Sequence, residues 1–372
     1  MAISYEPPRG DVVATLNFYS PPEDGSAPYN LAGDHPPGLP LRNFGSVAHD
    51  VLIHDIRGKE SSFNLDNDAF QIIQNLPPSA EPSFTDDESI QKNYYPEVER
   101  LLLDTVPGAF KVVIFDRESA YKPPNPPPRT RHLPTYPQTP SPMISVPTQI
   151  LISPCQQKDT IRRPNGKRQP VPRVHIDQTA RSVAQRVRRH ASSPEEAEHL
   201  LSSSRYRIIN VWRPLNKGPV ESNPLAFASS STLRDEDVVP VERTYIPGIY
   251  ERRKNEGGKT KEEKRRRRRR EKRNNKERNQ ADIFRADRYP AEVGYVGQTA
   301  AIRYHPDQKW YYLSGMTGDE RILLECFDSE GLKEGSAVKG GRVAHTAFDD
   351  PRTREGAEGR ESIEVRALVF GS

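Results

Sequence analysis

Two cysteines in 372 residues, Cys155 and Cys326, are too few for a disulfide framework or a cysteine-rich zinc site, so both are read as free thiols. No run approaches the roughly 20 consecutive apolar residues of a membrane span. The start, MAISYEPPRGD, lacks the basic-then-apolar order of a secretory signal. The expectation is a soluble, cytoplasmic protein without a membrane partner. Apolar residues supply only 34% of the chain and prolines number 36, so part of the length is expected to lie outside any packed core. Several catalytic patterns are also missing. There is no Ser-His-Asp order, no Cys-His nucleophile pair, and the GKT at 258–260 lacks the loop that would precede it in a phosphate-binding site. His35, His49, His54, His132, His190, His199 and His305 have no partner at metal-ligand spacing.

What charge there is has one main source. The formal net charge is +4, but residues 251–278 hold sixteen Lys and Arg against six Glu, a local +10 that leaves about −6 for the remainder. That stretch contains RRRRRR at 265–270 and repels itself too strongly to be core. Its basic character admits a nuclear or nucleic-acid-binding role as an alternative reading. The absence of interleaved aromatics for base stacking argues against it, and an insertion over 246–290 is the preferred reading. A second odd segment, 117–172, is rich in proline (KPPNPPPRTRHLPTYPQTPSP), which removes backbone donors and disfavours helix and sheet alike.

The rest of the chain reads as short strands with a few helices. VVATLNFY, VLIHDI and KVVIFD are strand-like and separated by turn residues. DESIQKNYYPEVERLLL, residues 87–103, predicts one or two helical turns, restarted at Pro96. Helices are expected after Thr179 and after Ser193, both apt N-caps. RYRIINVWRPL alternates as a strand, with Asn210 and Trp212 on one face and Arg213 on the other. AIRYH, KWYYLSG, RILLECFDS, RVAHTAF and ESIEVRALVF predict successive strands of one sheet system, with Trp310, Tyr311 and Tyr312 as core or pocket wall. The fold class is therefore mainly β with flanking helices: a double-stranded β-helix (jelly roll) forming one domain over 1–372, with the two segments as insertions.

The sharpest chemical pattern is His175-Ile176-Asp177 in RVHID. Residues two apart on a strand face the same side, so both can point at one ion. His345 in RVAHTAF would complete two imidazoles and a carboxylate on one face of an octahedron, with the other positions open. That mixed set suits Fe(II) and differs from the four closed ligands of structural zinc. Fifteen residues further, Arg360-Glu361-Ser362 opens an apolar strand. An inward Arg360 with Ser362 could clamp the distal carboxylate of 2-oxoglutarate through charge-assisted hydrogen bonds, with Arg366 as the next candidate. A surface Arg360 paired with Glu361 or Glu364 is the structural alternative.

These motifs, with RGDVVATLNFYSPPEDGSAPYN, IRGKESSFNLDNDAFQ, PVPRVHIDQT, RIINVWRPLNKGPVESNPLA, WYYLSGMTGDERILLECFDS and HTAFDDP, make the chain resemble the fungal hydroxylase/desaturase family. That family includes the aspergillic acid cluster enzyme, gibberellin desaturase and cephalosporin methoxylase-like proteins. The resemblance implies an oxidoreductase of secondary-metabolite biosynthesis that hydroxylates or desaturates a small natural product, of the Fe(II)/2-oxoglutarate dioxygenase type. It also implies metal ligation by His175, Asp177 and His345. Two departures stand out. The family's nearly continuous Phe-Asp-His-Thr-Ile-Arg-Arg is here split between Phe115-Asp116 and Thr160-Ile161-Arg162-Arg163 with its histidine missing, as retained intron sequence would leave it. The arginine-rich stretch interrupts the pattern in the same way, which keeps a catalytically degenerate member as a further alternative.

Overall fold

Alternation along Val12–Ser20 sets the pattern for the molecule: Val12, Ala14, Leu16 and Phe18 are buried while Val13 and Thr15 face outward, as a strand with one face on a core requires. The computed structural model describes residues 5–32, 40–121, 170–245 and 297–372. Most of the proline-rich stretch and the whole arginine-rich stretch lie outside the described residues, as do His35, His132, Cys155 and the segment 160–163.

In chain order the described strands are β1 (Val12–Ser20), β2 (Tyr29–Ala32), β3 (Gly45–Asp55), β4 (Phe70–Ile73), β5 (Ala109–Tyr121), β6 (His175–Ile176) and β7 (Arg205–Pro214). They continue as β8 (Leu225–Ala228), β9 (Val238–Tyr245), β10 (Gln298–Ile302), β11 (Trp310–Tyr312), β12 (Arg321–Asp328), β13 (His345–Ala347) and β14 (Glu361–Gly371). A nine-stranded sheet has the order β1-β3-β11-β8-β13-β6-β10-β9-β2, and a five-stranded sheet the order β4-β12-β7-β14-β5. The jelly-roll expectation holds, with one correction. The five C-terminal strands do not fall in one sheet: β10, β11 and β13 join the large sheet, β12 and β14 the small one. Strand order is fixed by distant pairing partners, which local composition does not reveal.

The main core, with Leu16, Phe18, Ile53, Ile176, Ile208, Trp310 and Phe370, draws residues from both sheets. The small sheet is buried on its second face too. There Ile209, Val211, Ile363, Val365 and Ala367 meet Leu102, Val98 and Tyr94 of a helical segment. After the short α1 (Leu65–Asp68) and strand β4, that segment is built from two helices joined by a π-helical turn: α2 (Asp87–Ser89), the turn Ile90–Tyr94 and α3 (Tyr95–Thr105). It is longer than the one or two turns expected. Pro96 sits in the first turn of α3, directly after the π-helical turn, and the helical path continues through it.

Two further helices, α4 (Ala180–His190) and α5 (Pro194–Ser203), place Val183, Val187, Ala197 and Leu200 in the main core. Both N-caps are as expected. Thr179 forms a reciprocal capping box with Ser182, and the Ser193 hydroxyl accepts from the Glu196 N–H at 3.2 Å. Replacing Ser193 with alanine should cost about 1 kcal/mol in an equilibrium unfolding experiment, the typical value of such a cap. An unchanged midpoint would mean that packing alone holds α5.

Candidate active site

The register of the large sheet brings the separated histidines together. β6 lies between β13 and β10, and His345 is the direct antiparallel partner of His175. Paired residues on one face have neighbouring side chains, and the two imidazole rings stand 4.4 Å apart between centroids. Asp177, one residue beyond β6, turns its Oδ1 to 3.4 Å from His175 Nε2. One potential ligand atom from each of His175, Asp177 and His345 lies within 4.8 Å of the other two, and this is the one such cluster among the described residues.

Each histidine is held by the nitrogen that the cluster does not need. His175 Nδ1 is 2.8 Å from the Arg173 carbonyl, and His345 Nδ1 is 3.4 Å from the Val343 carbonyl. A carbonyl can only accept, so each Nδ1 carries a proton, and in the neutral ring that tautomer leaves Nε2 its lone pair for a ligand bond. Burial, reinforced by neighbouring His175, pushes the His345 imidazole down to about 3, so it stays neutral at physiological pH. Burial pulls His175 in the same direction, but the Asp177 carboxylate outweighs it and the net shift is upward. Burial alone would raise Asp177. The Arg366 guanidinium and the two imidazoles overcome that and hold its carboxyl well below the usual range.

The cluster opens on a cavity of about 700 Å³ lined by His175, Asp177, His345, Trp212, Arg360, Ser362, Glu364 and Arg366, with Leu31, Leu41, Phe44 and Val241 among its apolar walls. Alternation along β14 explains the lining. Ser362, Glu364 and Arg366 share the inward face while Ile363, Val365 and Ala367 face the helical segment. A second cavity of about 650 Å³, bordered by Asp66, Arg205, Lys333 and Ser372, contains none of these groups.

Arg360 is buried, at 3% exposure, and its guanidinium lies 5.4 Å from the Trp212 ring centre. Its Nη1 donates to the Asn223 carbonyl at 2.7 Å, while its Nε has no partner. Asn223 adopts the left-handed conformation at φ 51°, which asparagine tolerates better than most residues. No carboxylate among the described residues pairs with Arg360, and burial lowers it to about 10. A buried cation with spare donors at a cavity wall is a receptor for an anion. Arg366 is differently engaged: its guanidinium meets Asp177 at 2.9 Å, Glu364 at 2.8 Å, Asp116 at 3.1 Å and Glu118 at 3.3 Å. Four carboxylates occupy it, so it is not available to clamp a further one.

The family profile of the oxidoreductase/YMDC permease-like domain matches residues 16–267 and 274–370. The hydroxylase/desaturase poxK of Penicillium oxalicum is 34% identical over 368 residues, covering 98% of this chain and 92% of the relative. The chain belongs to the fungal hydroxylase/desaturase family. A more distant relative, described as the alpha-ketoglutarate-dependent dioxygenase phiK of a fungal species, is 28% identical over 371 residues and 99% of each chain. Among solved structures, the iron and alpha-ketoglutarate-dependent endoperoxidase NvfI superposes with a TM-score of 0.64 at 23% identity, over 98% of this chain and 100% of that one, a likeness of fold. No helix of this family member, among the described residues, is long and apolar enough to cross a membrane.

Several site groups escaped sequence reasoning. Asn223 gave no signal, because it contributes only a backbone carbonyl. From sequence, Glu364 reads only as a surface partner for Arg360. It is in fact buried beside Arg366, and burial, together with Asp177 and Glu118 nearby, pushes its carboxyl up to about 8. The two-residue spacing of Ser362, Glu364 and Arg366 was the available clue.

Proposed function

We propose that this hydroxylase/desaturase family member is an Fe(II)- and 2-oxoglutarate-dependent oxygenase that hydroxylates or desaturates a small fungal metabolite. His175, Asp177 and His345 are its metal ligands, and Arg360 with Ser362 seats the distal carboxylate of 2-oxoglutarate. The observation that carries this reading is the convergence of two imidazoles and one carboxylate at a cavity that also holds a buried arginine with no carboxylate paired to it among the described residues. The relatives' descriptions as hydroxylase/desaturase and as alpha-ketoglutarate-dependent dioxygenase support it.

The donor set fits the ion: three protein ligands of mixed N and O character leave open positions for small molecules, as iron oxygenases require. When bound, Fe(II) supplies the redox centre at which dioxygen is reduced while 2-oxoglutarate and substrate are oxidised. The chain's own residues bind and orient. Carbonyl-held Nδ1 protons keep both rings in one tautomer. Arg360 supplies a charge-assisted anchor for a carboxylate, and the walls formed by Leu31, Leu41, Phe44 and Val241 exclude water from an apolar substrate. Incubation with Fe(II), ascorbate and 2-oxoglutarate should release succinate even without the native substrate, at a rate that vanishes in His345→Ala. Equal release from both proteins would remove the proposed ligand set.

The same reading places one oxygenase domain around two insertions. β9 and β10 are direct antiparallel neighbours, with Glu242 opposite Gln298, so a short turn would suffice where 246–296 intervenes. Deleting 251–278 should leave the far-ultraviolet spectrum and 2-oxoglutarate binding intact. Salt-sensitive polynucleotide binding that disappears with the deletion would favour the nucleic-acid reading of that segment. A cytoplasmic location accords with Cys326 as a buried free thiol.

A further inference from the structure

We infer that Asn210 and Arg366 form a clamp on the outer oxygen of Asp177, making them positioning residues that restrict this carboxylate to one metal bond. The inference rests on the reading of His175, Asp177 and His345 as metal ligands. Its geometry comes from the small sheet, where Arg366 on β14 is the direct antiparallel partner of Asn210 on β7. Their side chains share the inward face and reach the same atom. Asn210 Nδ2 donates to Asp177 Oδ2 at 2.8 Å, and Arg366 Nε donates to it at 2.9 Å. Oδ1 is left on the side of His175 Nε2. The two sheets thus meet at the metal cluster: the large one presents both histidines, and the small one orients the carboxylate.

A carboxylate free to rotate can offer both oxygens to an ion and fill a coordination position needed for a co-substrate. Two donors on Oδ2 oppose that rotation and leave Oδ1 as a single ligand atom. The clamp is itself braced. Asn210 Nδ2 also donates to Glu364 Oε1 at 3.1 Å, and Arg366 is fixed by Asp116, Glu118 and Glu364. Asp116 and Glu118, with Asp177 itself, offset the arginine's charge, so its contribution to the ion is one of placement more than of repulsion. Asn210 is fully buried and its Oδ1 has no partner, which marks it as a residue kept for its amide donors.

The test titrates the full-length, metal-free protein with Co(II), whose visible absorption reports coordination, and follows thermal unfolding without metal. Asn210→Leu and Arg366→Lys are chosen because neither changes the local charge, so any effect on the ion reports geometry. Each should weaken Co(II) binding by about 10- to 100-fold, the usual effect of losing a group that orients a ligand, and should alter the absorption envelope. The metal-free unfolding midpoint should move far less than that loss would suggest. If Arg366→Lys does not fold, Asn210→Leu and the smaller Asn210→Ala decide alone. Affinity within twofold of wild type together with an unchanged spectrum in the asparagine variants overturns the clamp. Asp177→Ala separates this from the underlying reading: if it binds Co(II) as wild type does, the ligand assignment itself fails.

Discussion

Replacing Asp177 with alanine should lower Fe(II) affinity by more than about 100-fold, beyond the range expected for a group that only orients a ligand, and reduce turnover to background. The carboxylate is the cluster's one anionic ligand, and without it two neutral imidazoles remain to hold a dication. The fold should survive, because Arg366 keeps Glu364, Asp116 and Glu118 as partners. Thermal unfolding provides a control independent of activity. A ligand present at 100 times its dissociation constant stabilises the native state by about 2.7 kcal/mol, so Fe(II) should raise the midpoint of wild type and leave Asp177→Ala unmoved. Equal stabilisation of both proteins would show that the ion binds elsewhere.

The second large effect is expected at Arg360, and its two signs are opposite. Arg360→Met removes a buried cation whose Nε is unpartnered and which forms no ion pair with a carboxylate among the described residues. Stability in the absence of ligands should therefore hold or rise, since the desolvation cost of the charge is relieved while similar volume is kept. Binding of 2-oxoglutarate should suffer heavily. Losing one partner of a buried charge pair costs about 2–5 kcal/mol, equivalent to a rise in KM of about 30- to 4000-fold. Ser362→Ala should act in the same direction but less, because a hydroxyl contributes about one ordinary hydrogen bond. A variant that loses stability and 2-oxoglutarate affinity together would make Arg360 a structural residue. One that loses neither would move the clamp to another side chain.

What could be read from the chain divides along the line between local and distant order. His175 and Asp177 could be paired from sequence because two-residue spacing on a strand is a local rule. His345 could be named as the third ligand, but its meeting with His175 depends on β13 lying directly beside β6, a pairing set across 170 residues of separation, about half the chain. Both N-caps, Thr179 and Ser193, were legible for the same local reason. The division of the C-terminal strands between two sheets was not. β12 hints at it, since every residue of RILLECFD is buried. A strand covered on both faces loses the alternation that would identify its sheet.

Arg366 illustrates the other limit. An arginine two turns of alternation beyond Ser362 is a reasonable clamp by spacing, yet its partners come from three separate elements: Asp116 and Glu118 on β5, Asp177 after β6, and Glu364 on its own strand. Spacing shows which face a side chain takes, and the folded register decides which charges it meets there.

The most direct test of the account is an anaerobic titration of the metal-free protein with Fe(II) and 2-oxoglutarate, following the visible charge-transfer absorption of the chelate. A saturable band in wild type, lost in His175→Ala while that variant remains folded, is the predicted result. A folded wild-type protein that binds both components without developing the band, or a band that persists in His175→Ala, would contradict an iron centre built on this cluster.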